Sequence, residues 1–318
     1  RLFCVPPIDK NCPVPLGSDK VLDAIAGAEI SLCPDLILAY RTPEINHVVE
    51  RVRKMGGKTH FGVDNVASLI AKADLAIGAG GISTWERCAL GLPTLIIIIA
   101  ENQRVNSEAL AGIGGAQIVR PDVDSLTEAI DRLGGDVKAL EEMSRVAALQ
   151  SDGLGARRIC QLISQKPLAQ DGGVVRLRPV SIKDSETIFQ WQQKPQTRRF
   201  SRKSAPPTKM EHNRWFRKKL QEPCCFINII LHHEKPAGFV RLEPWMNGYE
   251  VSIAVDPNRY RLGLARIALK LLRGLLPEDM FWAHIHKNNL ASKNLFESAG
   301  FKHSDKEGWF IQTAVKNL

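Results

Sequence analysis

Residues 74–100 constrain the fold more than any other part of the chain. Two runs, 74–77 and 94–100, are almost wholly apolar, as in strands buried on both faces rather than strands with one wet side. Between them lie the cluster Gly78-Ala79-Gly80-Gly81 and a helical stretch at 83–91. Strand, glycine turn, helix and strand make the repeating unit of a parallel sheet, because parallel neighbours need a long crossover and the crossover helix covers a sheet face. The pattern extends outwards. Residues 35–40 read as a strand and 44–55 as a helix stopped by Gly56-Gly57; 66–72, 124–133, 137–150 and 157–163 read as further helices.

The chain of 318 residues is long enough for two cores. With 44% apolar and 24% charged residues it is neither disordered nor fibrous. Its longest strongly apolar run, 92–100, contains Pro93 and falls well short of the ~20 residues that span a bilayer. No secretory signal is evident, and the first residue is Arg1 rather than methionine, so sequence is expected upstream. Seven scattered cysteines lack metal-ligand spacing. They read as reduced cytoplasmic thiols with no metal site.

The second half restarts as a different pattern. Residues 165–173 (QKPLAQDGG) read as the boundary, giving a first domain at 1–165, a linker at 166–173 and a second domain at 174–318. A strand at 174–179 precedes a helix capped by Asp184 and running through Trp191; 194–207 is a basic loop and 211–221 a helix. Strands at 226–231, 237–242 and 250–255 form a meander, followed by a helix at 264–276, a strand at 281–285 and a helix at 291–298. His232 and His233, adjacent on a strand, are expected on opposite faces. Residues 1–170 hold 18 Lys+Arg against 20 Asp+Glu, and 171–318 hold 25 against 14. Such a basic half suits nucleic acid, a membrane surface or a polyanionic small molecule, and charge alone does not choose among them. The groups Arg198, Arg199, Arg202, Lys203 and Arg214, Arg217, Lys218, Lys219 are candidates to grip nucleotide phosphates.

The 251–255 strand runs into Arg259-Tyr-Arg-Leu-Gly-Leu-Ala265 and then a helix. Gly263 and Ala265 remove side-chain bulk, and free first-turn amides at a helix start suit a pyrophosphate. Asn289-Leu-Ala-Ser292, Phe296 and Gly300-Phe301 follow the next strand, and Arg176-Leu-Arg-Pro with Trp191, His212 and Trp215 precedes the meander. Together these resemble the GNAT acetyltransferase superfamily, and in particular its members that acetylate nucleotide-linked amino sugars. The resemblance covers residues 174–315. It implies acetyl-CoA as cofactor, held by Val255, Arg261, Leu262, Gly263, Leu264, Ala265, Asn289 and Ser292, with His212 near the acceptor. Tyr260 departs from the usual Gln or Arg of the motif, and Phe296 stands where many members carry a tyrosine that protonates the leaving thiolate. An acceptor amine must shed a proton before it attacks a thioester. Glu250, entering the central strand, is the candidate base, with Glu243 its competitor.

Residues 73–93 and Ala100-Glu101-Asn102-Gln103 resemble the C-terminal lobe of GT-B-fold UDP-sugar enzymes, most closely the UDP-sugar hydrolase of pseudaminic acid synthesis. That likeness covers residues 15–165. It implies that Gly80, Gly81, Ser83, Thr84 and Glu86 hold UDP, and that Asn102 and Gln103 face the sugar. A dinucleotide site is the rival: Gly78, Gly80 and Glu101 fit its pattern, but Ser83 replaces the third glycine. The family's general base is a histidine on an N-terminal lobe, and neither His47 nor His60 lies in a matching motif. The expectation is therefore a Rossmann-like GT-B C-terminal lobe (α/β) followed by a GNAT domain (α+β). The expected activity is an N-acetyltransferase acting on a UDP-linked 4-amino-4,6-dideoxy sugar, with a partial UDP-diacetamido-sugar hydrolase. The rivals are a non-catalytic UDP-sugar sensor and a protein N-acetyltransferase. Neither nucleic acid nor membrane is an expected partner, and an N-terminal lobe outside this chain is.

Overall fold

The computed structural model describes residues 2–5, 18–38, 45–164 and 166–314, in two compact units divided between Gly153 and Leu154. In the first unit β1 (Leu2–Val5), β2 (Pro34–Leu38), β3 (Lys58–Phe61), β4 (Leu75–Ala79), β5 (Thr94–Ile97) and β6 (Gln117–Ile118) form one sheet. Its order is β3-β2-β1-β4-β5-β6 and every pairing is parallel. The described helices are α1 (Ser18–Gly27), α2 (Asn46–Lys54), α3 (Ala67–Ile70), α4 (Ser83–Ala89), α5 (Arg104–Gly112), α6 (Val123–Gly134) and α7 (Val137–Ala148). Leu36, Leu75, Ile77 and Leu95 pack with Leu22 of α1, Val48 of α2 and Ile130 of α6. Ile96 packs instead with Cys88, Leu110 and Ala147 of α4, α5 and α7. Both faces are thus covered, as the continuous apolar strands require. Asp122 and Asp136 cap α6 and α7 by accepting from Ser125 N (2.8 Å) and Ala139 N (3.0 Å). Strand order reverses between β1 and β4, and at such a switch point the strand carboxyl ends open a crevice. The glycine turn follows β4 at that point. The expected strand at 35–40 ends at Leu38 and the expected helix at 44–55 begins at Asn46; residues 39–44 lie outside the described residues.

The second unit comprises α8 (Gly155–Ile163), β7 (Val175–Pro179), α9 (Ser185–Gln193), α10 (Pro195–Arg198), α11 (Lys209–Leu220), β8 (Phe226–His232), β9 (Lys235–Trp245), β10 (Gly248–Val255), α12 (Leu264–Leu275), β11 (Met280–His284), α13 (Leu290–Ser298), β12 (Lys302–His303) and β13 (Trp309–Gln312). The sheet runs β12-β13-β11-β10-β9-β8-β7. It is antiparallel except where β10 meets β11. One face packs Val240, Leu242, Val251, Phe281 and Phe310 against Leu269 and Leu272 of α12. The other packs Ile227, Ile229 and Phe239 against Ile188, Trp191 and Phe216 of α9 and α11.

Five local expectations are corrected. The linker at 166–173 is folded onto the second unit: Ala169 is buried with Val175 and Leu264, and Gln170 N donates to Leu262 O (3.1 Å). Helix α8, expected to close the first domain, also belongs to the second unit, where Arg157 and Gln161 donate to Leu275 O and Leu271 O (2.7 Å each). Asp184 does not cap α9 with its side chain. It reaches back to Ser181 N (2.7 Å) and pairs with Arg178 (2.6 Å). His232 and His233 do not point apart, for β8 ends at His232 and positive φ at His233 and Glu234 leaves the rings 4.6 Å from each other. Within 194–207, expected as loop, Pro195–Arg198 is helical.

Candidate functional site

The turn after β4 is built from inside. A Cβ on Gly80 would lie 2.2 Å from Ser107 Oγ, so this glycine lets α5 approach. At Gly81 the nearest atom is Gln103 Nε2 at 4.0 Å, which leaves space on the outer side. Gln103 Oε1 accepts from Gly80 N (3.2 Å) and Ile99 N (3.3 Å), tying the β4 turn to the end of β5. Its carbonyl is therefore a latch rather than a free group facing a sugar, while Asn102 beside it is exposed.

Thr84 is corrected more firmly. It is 5% exposed, and its hydroxyl donates to Ala79 O and accepts from Arg87 (3.0 Å). The amides of Thr84 and Trp85 bond to Gly81 O and Ile82 O. The expected amide cradle is thereby narrowed to the outer part of the turn, Gly81 and Ser83, with Glu86 exposed one turn along. Behind it lies Arg87, which nothing in the sequence singles out and which is 1% exposed. Its guanidinium donates to Ser83 Oγ (3.2 Å), Ala79 O (2.9 Å) and Thr84 Oγ1, and its Nε has no partner among the described residues. Burial pulls its pKa down to about 10. A buried charge beneath a glycine turn biases that turn towards an anion. His47 and His60 are paired with Asp19 and Asp35 (3.1 and 2.9 Å).

In the second unit β10 and β11 are in register only at Gly248–Glu250 with Met280–Trp282, while β10 stays paired with β9 through Val255. The strands separate beyond Glu250, leaving the 251–255 stretch of β10 without a ladder partner on the β11 side among the described residues. The chain then turns through Arg261 (φ 65°) and Gly263 (φ 77°) into α12. Gly263 is required by its left-handed backbone; a Cβ there meets nothing within 4 Å. No side chain caps α12 at its start. Leu264 is buried and anchors the helix, Ala265 and Leu262 are half-buried, and Arg261 is exposed. An open strand edge beside an uncapped helix start fits an extended chain ending in a pyrophosphate. Asn289 accepts from Ser292 N (3.1 Å), capping its own helix, so its carbonyl is occupied. Phe296 is a core residue, edge-on to Phe301 at 4.9 Å.

Glu250 stands where the strands part. Its side chain is 13% exposed and accepts from Arg202 at 2.6 Å. Its competitor Glu243, the antiparallel register partner, is bound by Lys219 and Arg241 (2.5 and 2.7 Å). Strand register puts Glu250, Trp282, His284, Trp309 and Trp245 on one face. His212, expected near the acceptor, is a core residue: it is 1% exposed, packed among Phe189, Trp215 and Phe216, and bonded to Ser185 O (2.9 Å). Burial lowers its pKa. The tryptophan floor was missed in the sequence, although five of the chain's six tryptophans lie after residue 170. Among the expected phosphate grips, Arg198 holds the backbone of Lys203 and Ala205, and Lys219 is bound to Glu222 and Glu243. Arg214, Arg217 and Lys218 line an open cleft of about 780 Å³ along α11, and a second cleft of about 490 Å³ adjoins α10. Neither cleft includes Glu250 or the 261–265 turn.

Comparison with known proteins finds two families along the chain, the first match reaching a few residues into α8. Residues 42–159 match the glycosyltransferase family 28 C-terminal domain. Residues 175–302 match the acetyltransferase (GNAT) domain. A family 28-like lobe therefore precedes a GNAT acetyltransferase domain. The chain is 29% identical over 113 residues to the UDP-N-acetylglucosamine–N-acetylmuramyl-(pentapeptide) pyrophosphoryl-undecaprenol N-acetylglucosamine transferase of Glaesserella parasuis, covering 33% of this chain and 32% of that protein. It is 23% identical over 282 residues to the uncharacterized protein MJ1062 of Methanocaldococcus jannaschii, covering 83% of this chain and 54% of that one. The chain thus spans between a third and about half of these relatives' lengths. A crystal structure of a domain from M. jannaschii is 24% identical, with a TM-score of 0.38, covering 44% of this chain and 96% of that domain. No described helix is long and apolar enough to cross a membrane.

Proposed function

We propose that the GNAT domain transfers an acetyl group to the primary amine of a nucleotide-linked amino sugar, and that the family 28-like lobe binds a nucleotide-diphosphate sugar. The observation that carries the reading is the parting of β10 and β11 at Glu250, from which the open edge of β10 runs on to Val255 and the chain turns into the uncapped start of α12. Acetyl-CoA, when bound, supplies the acetyl thioester. The chain's own part is to bind and to move a proton. Amides at the start of α12 and the open edge of β10 hold the cofactor. Glu250, at the parting, takes the proton that the acceptor's ammonium must lose before its nitrogen can form the new C–N bond. Phe296 has no acidic hydrogen to return to a leaving thiolate, so that proton comes from water. A 4-amino-4,6-dideoxy sugar carried on UDP is the acceptor that the motif resemblance favours, in synthesis of a pseudaminic-type acid. The division into a sugar-nucleotide lobe and an acyltransferase domain belongs to the same proposal. A non-catalytic sensor is the second reading, favoured by Arg202 sitting on Glu250.

Thiol release from acetyl-CoA, measured with a UDP-amino sugar and with a lysine peptide, separates these readings. The amino sugar alone should support release, and Glu250→Gln should lower kcat by about 10²–10⁴, the usual range for a lost general base. Gly263→Trp should abolish CoA binding and leave UDP binding intact. Release with the peptide alone overturns the sugar reading, and no release with either favours the sensor.

A further inference from the structure

The contacts of Arg202 go beyond what acetyl transfer requires. Arg202 rises from an irregular stretch, 201–208, that is exposed almost throughout. Its side chain is 60% exposed, yet it donates to Glu250 Oε1 at 2.6 Å and places its guanidinium carbon 5.6 Å from the ring centroid of Trp309. Beneath it Trp309 stacks on Trp245 (4.8 Å between centroids, 8° between planes) and meets Trp282 edge-on at 6.5 Å. A carboxylate beside an indole face is a seat for a cation. Arginine is a poor permanent occupant of that seat. It keeps its proton at any physiological pH, so Glu250 has none to take from it. Arg202 itself is largely in water, and a cation that keeps Glu250 paired and the indole face covered loses neither contact, so a competing cation can displace it.

A second observation bears on the occupant. The Nε1–H groups of Trp245 and Trp282 are buried without a hydrogen-bond partner among the described residues. Buried donors are rarely left unpaired. Arginine cannot pair them, because it offers donors and no acceptor. An occupant that brings hydroxyl or amide oxygens can.

We infer that Arg202 fills, in the resting protein, the seat of the acceptor's ammonium group between Glu250 and Trp309, and gives way when the acceptor enters. The ligand class is a primary ammonium on a ring with one flat apolar face and oxygen acceptors at its edge, as in an amino-pyranose. Its ammonium replaces the guanidinium at Glu250, its ring face lies on the indole of Trp309, and its oxygens accept from the buried indoles. The naming of the amine as the group to be acetylated rests on the acetyltransferase reading. The seat itself does not.

The test is equilibrium binding to the full chain with CoA present, using glucosamine and N-acetylglucosamine as probes and reading tryptophan fluorescence. Arg202→Gln removes an exposed side chain and should tighten glucosamine binding about three- to tenfold, with N-acetylglucosamine unchanged. Glu250→Gln should erase the preference for the amine. The seat is overturned if R202Q binds glucosamine no more tightly than the wild type, if it shows no saturable glucosamine binding, or if E250Q keeps the preference. Thiol release separates this from the broader reading. Release with an unchanged R202Q affinity removes the seat and keeps the acetyltransferase; a tightened R202Q affinity without release from any amine does the reverse.

Discussion

Arg87 shows what a single residue can hide. In sequence it follows Glu86 on a short helix and is not singled out, yet it is 1% exposed and, among the described residues, bonded only to neutral oxygens. An unneutralised buried cation is costly, and an apolar side chain of similar length is often neutral or stabilising in its place. Arg87→Met should therefore leave the thermal midpoint within a few degrees of the wild type. It should weaken UDP binding about tenfold or more while sparing uridine, which lacks the diphosphate; calorimetric titration of both ligands checks it. Equal loss of UDP and uridine would make Arg87 a mere brace. The glycines above it were legible because they punctuate the chain. Arg87 was not, since a helix period places a residue on a face without stating what covers that face. The Thr84 hydroxyl and the Gln103 carbonyl were obscure for a related reason: they are engaged by partners that lie close only after folding.

Elements were legible where periodicity was strong and obscure where it was short. The apolar strands β4 and β5 and the long α12 stand out in sequence; β3 (KTHF), the two-residue β6 and the terminal β12 and β13 carry too few residues to show a period. The missed β13 matters, because it brings Trp309 to the face that bears Glu250. His212 belongs to this scale as well, joining α11 to α9 through Ser185. Burial depresses its pKa below the ordinary 6.5, against the opposing pull of its hydrogen bond to Ser185. The unfolded chain then binds the proton more readily, so the stability His212 contributes is complete above pH 6.5 and drains away as pH falls through its folded-state value. The thermal midpoint should drop between pH 7.5 and 5.5, and His212→Gln should shrink that drop. An undiminished drop in the variant would assign the acid sensitivity to other groups, among them Asp184 and Asp19, whose carboxyls are held low by Arg178 and by His47 and Arg51 against the opposing effect of burial and lose their contribution only at more acidic pH.

At the scale of the whole molecule, two sheets of different logic share one chain. A parallel sheet covered on both faces leaves its ligand crevice at the switch point, whereas a mostly antiparallel sheet opens a slot only where one parallel pair parts. Each unit owns its hydrophobic clusters: Leu36, Leu75 and Leu95 belong to one, and Val240, Leu272 and Phe281 to the other. Two cores imply two unfolding events, each raised only by the ligand that its own unit binds. Differential scanning calorimetry of the full chain should resolve two transitions. CoA at about 100 times its dissociation constant should stabilise one unit by ~2.7 kcal/mol, and UDP should raise the other. Because α8 and residues 166–173 pack with the second unit, cleavage after Gly153 should leave the CoA-responsive transition unchanged, while cleavage at the sequence-expected boundary near residue 165 should lower it by stripping Arg157 and Gln161 from the end of α12. A CoA-responsive transition indifferent to both cuts would return the boundary to residues 166–173, where composition alone had set it.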